Sequence, residues 1–115
     1  MRKHTISIKN ALRGLIWAVR TQPNYKIHIP LSVLAVIGGF AYKISYYEFL
    51  TIFTLIFIGL AIETINTAFE ETNDAIDLAR RPDIGLAKDI AAGAMLVFSI
   101  GAFIIACIIF VPKIF

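Results

Sequence analysis

The sequence predicts an all-α integral membrane protein: an N-terminal amphipathic surface helix followed by three transmembrane helices. Three observations carry this. The 115 residues are 58% hydrophobic and only 17% charged, with a mean hydropathy of +0.77, more apolar side chain than a soluble domain of this size can hide. The apolar residues fall into three runs separated by short polar breaks. The basic residues lie on alternating sides of those runs. Arg2, Lys3, Lys9, Arg13, Arg20 and Lys26 precede the first run, and Arg80, Arg81 and Lys88 separate the second from the third. Only Lys43 and Lys113 fall on the other side. Nine against two is a firm positive-inside pattern, which puts the N-terminus and the 79–89 loop in the cytoplasm and the C-terminus outside, in a cytoplasmic (inner) membrane. The net charge of +3 is therefore a topology signal, and a nucleic-acid partner is rejected.

The surface helix is expected at about 5–22. Ile8, Leu12, Leu15, Ile16 and Val19 recur at helical spacing, while Lys9, Asn10, Arg13, Trp17 and Arg20 occupy the other faces, a pattern suited to the membrane surface. Pro23 and Asn24 punctuate its end. The first span, about 27–42, carries Pro30 near its start, tolerable where neighbours satisfy the freed carbonyl. Tyr42, Tyr46 and Tyr47 then form an interfacial aromatic cluster. The second helix is expected at about 47–78, its end projecting into the cytoplasm, with a break over Arg80, Arg81, Pro82, Asp83 and Gly85. The third span, about 88–111, contains 21 uncharged residues from Ile90 to Phe110, the length a bilayer needs. Cys107, the one cysteine, sits in that apolar run and can form no intramolecular disulfide. The first twenty residues lack an apolar core and cleavage site, so no cleavable signal peptide is expected. The whole chain is expected to be one domain.

The stretch IETINTAFEETNDAID, Ile62 to Asp77, holds Glu63, Glu70, Glu71, Asp74 and Asp77, five of the eight acidic residues. On a helix, Glu63, Asn66, Glu70, Asp74 and Asp77 fall on one stripe. Such a line of like charges needs Lys, Arg or a divalent cation to offset it. Phe49 to Ile62 extends only about 21 Å at 1.5 Å per residue, against a hydrocarbon core of about 30 Å. Glu63 therefore lies near or inside the cytoplasmic edge of the hydrocarbon, where an ionisable group marks a functional site. A helix that merely emerges into water would explain Asp74 and Asp77, but explains Glu63 and Asn66 poorly. Three short helices are not expected to enclose this stripe alone, so Glu63 and Asn66 should face a neighbouring copy, with the small residues Ala91–Ala94 allowing its approach. At the entrance of the third span, Lys88 can bind a phosphate as a point charge. Asp89 beside it suits the first turn of a helix.

The two segments ETINTAFEETND (Glu63–Asp74) and AKDIAAGA (Ala87–Ala94) resemble the signature of the prokaryotic membrane-integral diacylglycerol kinase family. The likeness covers nearly the whole chain. It implies an ATP- and Mg²⁺-dependent lipid kinase, a homotrimer with its sites between subunits at the cytoplasmic surface. By position it makes Glu63 the general base on the lipid hydroxyl, Asn66 its orienting partner, Glu70 the metal ligand and Asp74 part of the nucleotide site. Lys88 and Asp89 would contact the phosphates and nucleoside. Lys3, Asn10, Arg80 and Arg81 match nucleotide-contacting positions, although Lys3 replaces a common Arg and Asn10 a Tyr or His. Where the family usually has a second metal-binding Glu, this chain has Gln22, which keeps a carbonyl oxygen but loses the charge. Arg13-Gly14, the run Arg20–Asn24, His28 and the ending FVPK resemble the Gram-positive branch, whose members act on undecaprenol.

Chemistry and resemblance agree, because phosphoryl transfer needs positioning, charge neutralisation and an acceptor for the hydroxyl proton. No Gly-rich phosphate loop is present. The leading acceptor is undecaprenol, with diacylglycerol the alternative. Two other classes stay open: a non-enzymatic small membrane protein such as a holin-like pore former, which has no use for Glu63 at lipid depth, and a small transporter using Glu63 as an ion site, which has no use for Mg-ATP.

Overall fold

The structure, a computed structural model, describes residues 2–76 and 82–115, with side chains from Ser7 onward. The described residues form four helices: α1 (Arg2–Thr21), α2 (Tyr25–Ala41), α3 (Tyr46–Ile76) and α4 (Pro82–Ile114). Helix α3 is the hub and packs against each of the other three. The amphipathic α1 keeps Ile8, Leu12, Leu15, Ile16 and Trp17 exposed and buries Ala18, leaving an apolar stripe of the kind that lies in a membrane interface.

The α2–α3 hairpin is held by local chemistry at both helix ends. Lys43 takes a positive φ of 53°. Its N–H bonds Phe40 O (3.3 Å) and the next N–H, of Ile44, bonds Gly39 O (3.1 Å), the paired closure of a Schellman motif. The side chain of Ile44 then lies over Gly39, where an added Cβ would come 2.9 Å from Ile44 Cδ1 and 2.7 Å from Phe49 Cε1. Helix α3 opens with a capping box: Ser45 N donates to Glu48 Oε1 (2.8 Å) and Glu48 N donates to Ser45 Oγ (3.2 Å), satisfying two otherwise orphaned donors. Lys113 of α4 lies 3.5 Å from Glu48 Oε1, tying the start of α3 to the end of α4. Around this end Ile44, Ile52 and Ile109 are buried, with Phe49, Ile105 and Phe110 packed against them. Phe40 meets Phe49 with ring centroids 4.9 Å apart.

Two helices, α3 with 31 residues and α4 with 33, are long and apolar enough to cross a membrane. Helix α2 has 17 residues, about 26 Å at the helical rise, and falls short of the same measure although the sequence predicts a span there. The third span begins earlier than expected. Pro82, Asp83 and Gly85, assigned from sequence to a break, form the first turn of α4. Proline fits there because its missing N–H would have no intrahelical partner and its φ is already helical. Asp83 adds a carboxylate where the helix dipole favours one. Residues 77–81, including Asp77, Arg80 and Arg81, lie outside the described residues.

Candidate functional site

Helix α3 carries its polar residues inward. Glu63 is 2% exposed and Asn66 7% exposed, and Thr67 and Asn73 are also buried. Glu70 and Asp74 are half-buried. A buried carboxylate must be given hydrogen-bond partners, since desolvating it costs several kcal/mol in effect. The partner comes from the α1–α2 turn. Asn24 Nδ2 donates to Glu63 Oε1 (3.2 Å) across 39 residues of sequence. The next residue, Tyr25, is 1% exposed, and its hydroxyl lies 2.7 Å from Thr64 Oγ1. Thr64 gives its own proton to Leu60 O (2.7 Å). Tyr25 is therefore the donor of that pair, because a hydroxyl has one hydrogen to give.

This arrangement corrects the expectation that Glu63 and Asn66 need a neighbouring copy to cover them. The single chain buries both. At Glu63 the short turn after α1 folds back over α3; periodicity alone does not reveal it because Asn24 and Tyr25 belong to no repeating pattern. Conversely, the small residues Ala91–Ala94 are partly open: Ala92 and Ala94 are exposed, Ala91 and Gly93 half-buried, and no heavy atom lies within 4 Å of a Cβ built on Gly93.

The charges of the stripe are offset at its outer end. Lys88 Nζ of α4 donates to Asp74 Oδ1 of α3 at 2.5 Å, tying the two helices where the resemblance puts the nucleotide. Asp89, one residue on, is exposed. Asn66 presents a different chemistry. Its Oδ1 is buried and, among the described residues, the only buried side-chain N or O atom without a hydrogen-bond partner. An acceptor in that state costs about 1–3 kcal/mol, and a ligand hydroxyl or cation would relieve it.

The remaining expected residues are less closely joined. Gln22 is half-buried in the same turn as Asn24, and its Nε2 donates to Thr21 Oγ1 (3.3 Å). Asn10 is exposed on α1. Lys3 lies in α1 ahead of the described side chains, and Arg80 and Arg81 are outside the described residues. No three His, Cys, Asp or Glu side chains converge on a metal-sized site among the described residues. Oxygen donors nevertheless fit Mg²⁺, which is commonly held by one or two carboxylates with waters and substrate phosphates completing the shell. Glu70 and the free Asn66 Oδ1 are donors of that kind.

Residues 9–110 match the sequence model of the family described as prokaryotic diacylglycerol kinase. The chain belongs to that family. It is also 38% identical over 107 residues to the undecaprenol kinase of Bacillus subtilis (strain 168), a match covering 93% of this chain and 87% of the relative. A prokaryotic diacylglycerol kinase family member with these apolar helices is a membrane lipid kinase, with a lipid as acceptor and ATP as donor. Sequence reasoning identifies the acidic stripe but misses Asn24, Tyr25 and Thr64. A weak signal is present: Pro23 follows α1 and immediately precedes two side chains capable of hydrogen bonding.

The Asn24–Glu63 contact is directly testable. Asn24→Ala should lower stability by about 1.5–3 kcal/mol, the range for a hydrogen bond to a charged group, in denaturant melts of the detergent-solubilised protein. Asn24→Asp should cost more than Asn24→Ala in the same melts, because two carboxyl groups then face each other where an amide donor met an acceptor.

Proposed function

We propose that the protein transfers the γ-phosphoryl group of ATP to the hydroxyl of undecaprenol at the cytoplasmic face of the inner membrane. The observation that carries this is the buried Glu63, held by Asn24 on a helix whose apolar run puts it at the depth of a lipid's polar end. The likeness to the B. subtilis undecaprenol kinase supports the choice of acceptor. Diacylglycerol is the second reading, favoured by the family description alone.

In this mechanism Glu63 is the general base. Asn24 engages Oε1 and fixes the carboxylate's orientation, and Oε2 is assigned to the lipid hydroxyl, whose proton it takes as the oxygen attacks the γ-phosphorus and the bond from that phosphorus to the β–γ bridging oxygen breaks, releasing ADP. Asn66, one turn further along α3, orients the same hydroxyl. Glu70, one more turn out, is assigned to Mg²⁺, with Gln22 as a weaker ligand through its carbonyl oxygen. Bound Mg²⁺ would neutralise charge on the ATP phosphates. Lys88 and Asp89, with Lys3, Asn10, Asp74, Arg80 and Arg81, are assigned to the nucleotide. Lys88, already beside Asp74, would exchange that carboxylate for phosphate oxygens when ATP binds. The spacing along α3 suits phosphoryl transfer. Glu63 and Glu70 are seven residues apart, about 10 Å along the helix, so base and metal ligand address opposite ends of one transfer. The active protein is taken to be a homotrimer, consistent with the open Ala91–Ala94 face and with the family resemblance.

A radiolabelled-ATP assay in mixed micelles, offering undecaprenol and diacylglycerol separately, should give abundant product with undecaprenol and little or none with diacylglycerol; the reverse ranking would reassign the acceptor. In the same assay Glu63→Gln should lose about 10²-fold or more in turnover while still binding nucleotide; near-normal turnover would remove Glu63 as base. Gln22→Glu should lower the magnesium concentration giving half-maximal rate. An unchanged magnesium profile would take Gln22 away from the metal. For the assembly, light scattering on the active protein in mild detergent should report three copies, and a monodisperse active monomer would refute the trimer.

A further inference from the structure

One helical turn before Glu63, α3 carries Gly59, which is buried. A Cβ built there would press on His28 of α2 and come within 2.6 Å of the Phe98 ring of α4. The missing side chain is what lets His28 sit there, its ring 6.2 Å from that of Phe98 with the planes 17° apart. Gly59 and Glu63 share one face of α3, so His28 packs against the face that carries the carboxylate. His28 also stands at the mouth of a groove of about 340 Å³ where α2, α3 and α4 meet.

The groove has a polar mouth and an apolar body. It runs from His28 to Ala35 on α2 and from Phe98 to Ala106 on α4, seven and eight residue steps, or about 10–12 Å. Leu31, Ile52, Ile56 and Phe103 line it. Ser32, near the mouth, donates its hydroxyl to His28 O (2.9 Å). A shape of this kind fits an amphiphile with its polar end at His28. Charge decides which amphiphile. A bilayer phospholipid would bring an anionic phosphate toward the buried Glu63, where like-charge repulsion is poorly screened. A lipid alcohol brings only a neutral hydroxyl.

We propose that this groove seats the head-proximal stretch of the acceptor lipid's hydrocarbon chain, and that His28 at its mouth is a positioning residue holding the hydroxyl end against Glu63. The inference rests on the lipid-kinase reading of Glu63 and adds to it the path of the chain and the part of His28. Only the first 10 Å or so of chain, the length of the groove at the helical rise, is read by the protein; the remainder lies among bilayer lipids.

The test compares Ala102→Phe, which fills the groove, with Val97→Phe, which adds bulk at an exposed position of the same helix. Ala102→Phe should raise KM for a long-chain polyprenol about tenfold or more, leave KM for ATP within about twofold, and leave kcat/KM for a five-carbon prenyl alcohol nearly unchanged. Val97→Phe should match the parent protein throughout. His28→Ala should lower kcat with long and short alcohols alike, and His28→Gln, which restores a hydrogen-bonding side chain, should recover part of it; a purely structural loss would not be rescued in that way. Independently of turnover, a polyprenol bearing a diazirine near its hydroxyl should label groove residues of the parent protein, and unlabelled polyprenol but not phospholipid should compete. Equal KM values for the two Phe variants, labelling spread over the outer faces of α2 and α4, or competition by phospholipid would each overturn the groove. Specific, polyprenol-competed labelling without any phosphorylation would instead sustain the groove and overturn the kinase acceptor reading.

Discussion

The fold turns on one requirement: a carboxylate buried among apolar helices must be covered and hydrogen-bonded. Glu63 creates that requirement and Asn24 meets it. The consequences spread outward. Holding Asn24 in place demands that the turn after α1 double back onto α3, and Tyr25 fastens that turn by burying its ring and donating its hydroxyl to Thr64. The turn also sets where α1 meets α3 and where α2 departs.

Along α3 the environment changes in steps. Glu63 and Asn66 are sealed, Glu70 is half-covered, and Asp74 is open enough to pair with Lys88 from α4. A single helix thereby offers a dry end, where a base can act without water competing for its proton, and a wet end, where a highly charged nucleotide can be bound without complete desolvation. Reactions joining a membrane-dissolved alcohol to a water-dissolved triphosphate need both environments within a few helical turns.

Much of this is legible in the sequence because it is periodic. Apolar runs locate α3 and α4, the amphipathic repeat locates α1, and 100° spacing puts Glu63, Asn66, Glu70 and Asp74 on one stripe. What the pattern misses is aperiodic or long-range. Pro82 reads as a break and instead starts α4, since proline is equally at home in a turn and at a first helical position. The cover over Glu63 is easily assigned to another copy because no repeat marks Asn24, 39 residues away. His28 stands out only as a family likeness; its place over Gly59 and against Phe98 depends on three helices converging, which no single segment encodes.

The two ends of the bundle are fastened by different kinds of bond. At the end away from Glu63, the α2–α3 hairpin closes with backbone hydrogen bonds, a capping box and the packed side chains of Ile44, Ile52 and Ile109, with Lys113 of α4 reaching Glu48. At the site end, three polar links, Asn24 to Glu63, Tyr25 to Thr64 and Lys88 to Asp74, join the packing of His28 and Phe98 against Gly59. Polar links can be traded for a ligand's hydroxyl or phosphate at little net cost, whereas a packed apolar cluster has nothing to trade. A substrate entering at the Glu63 and Asp74 end therefore meets groups that can exchange partners, while the hairpin end keeps the helices in register.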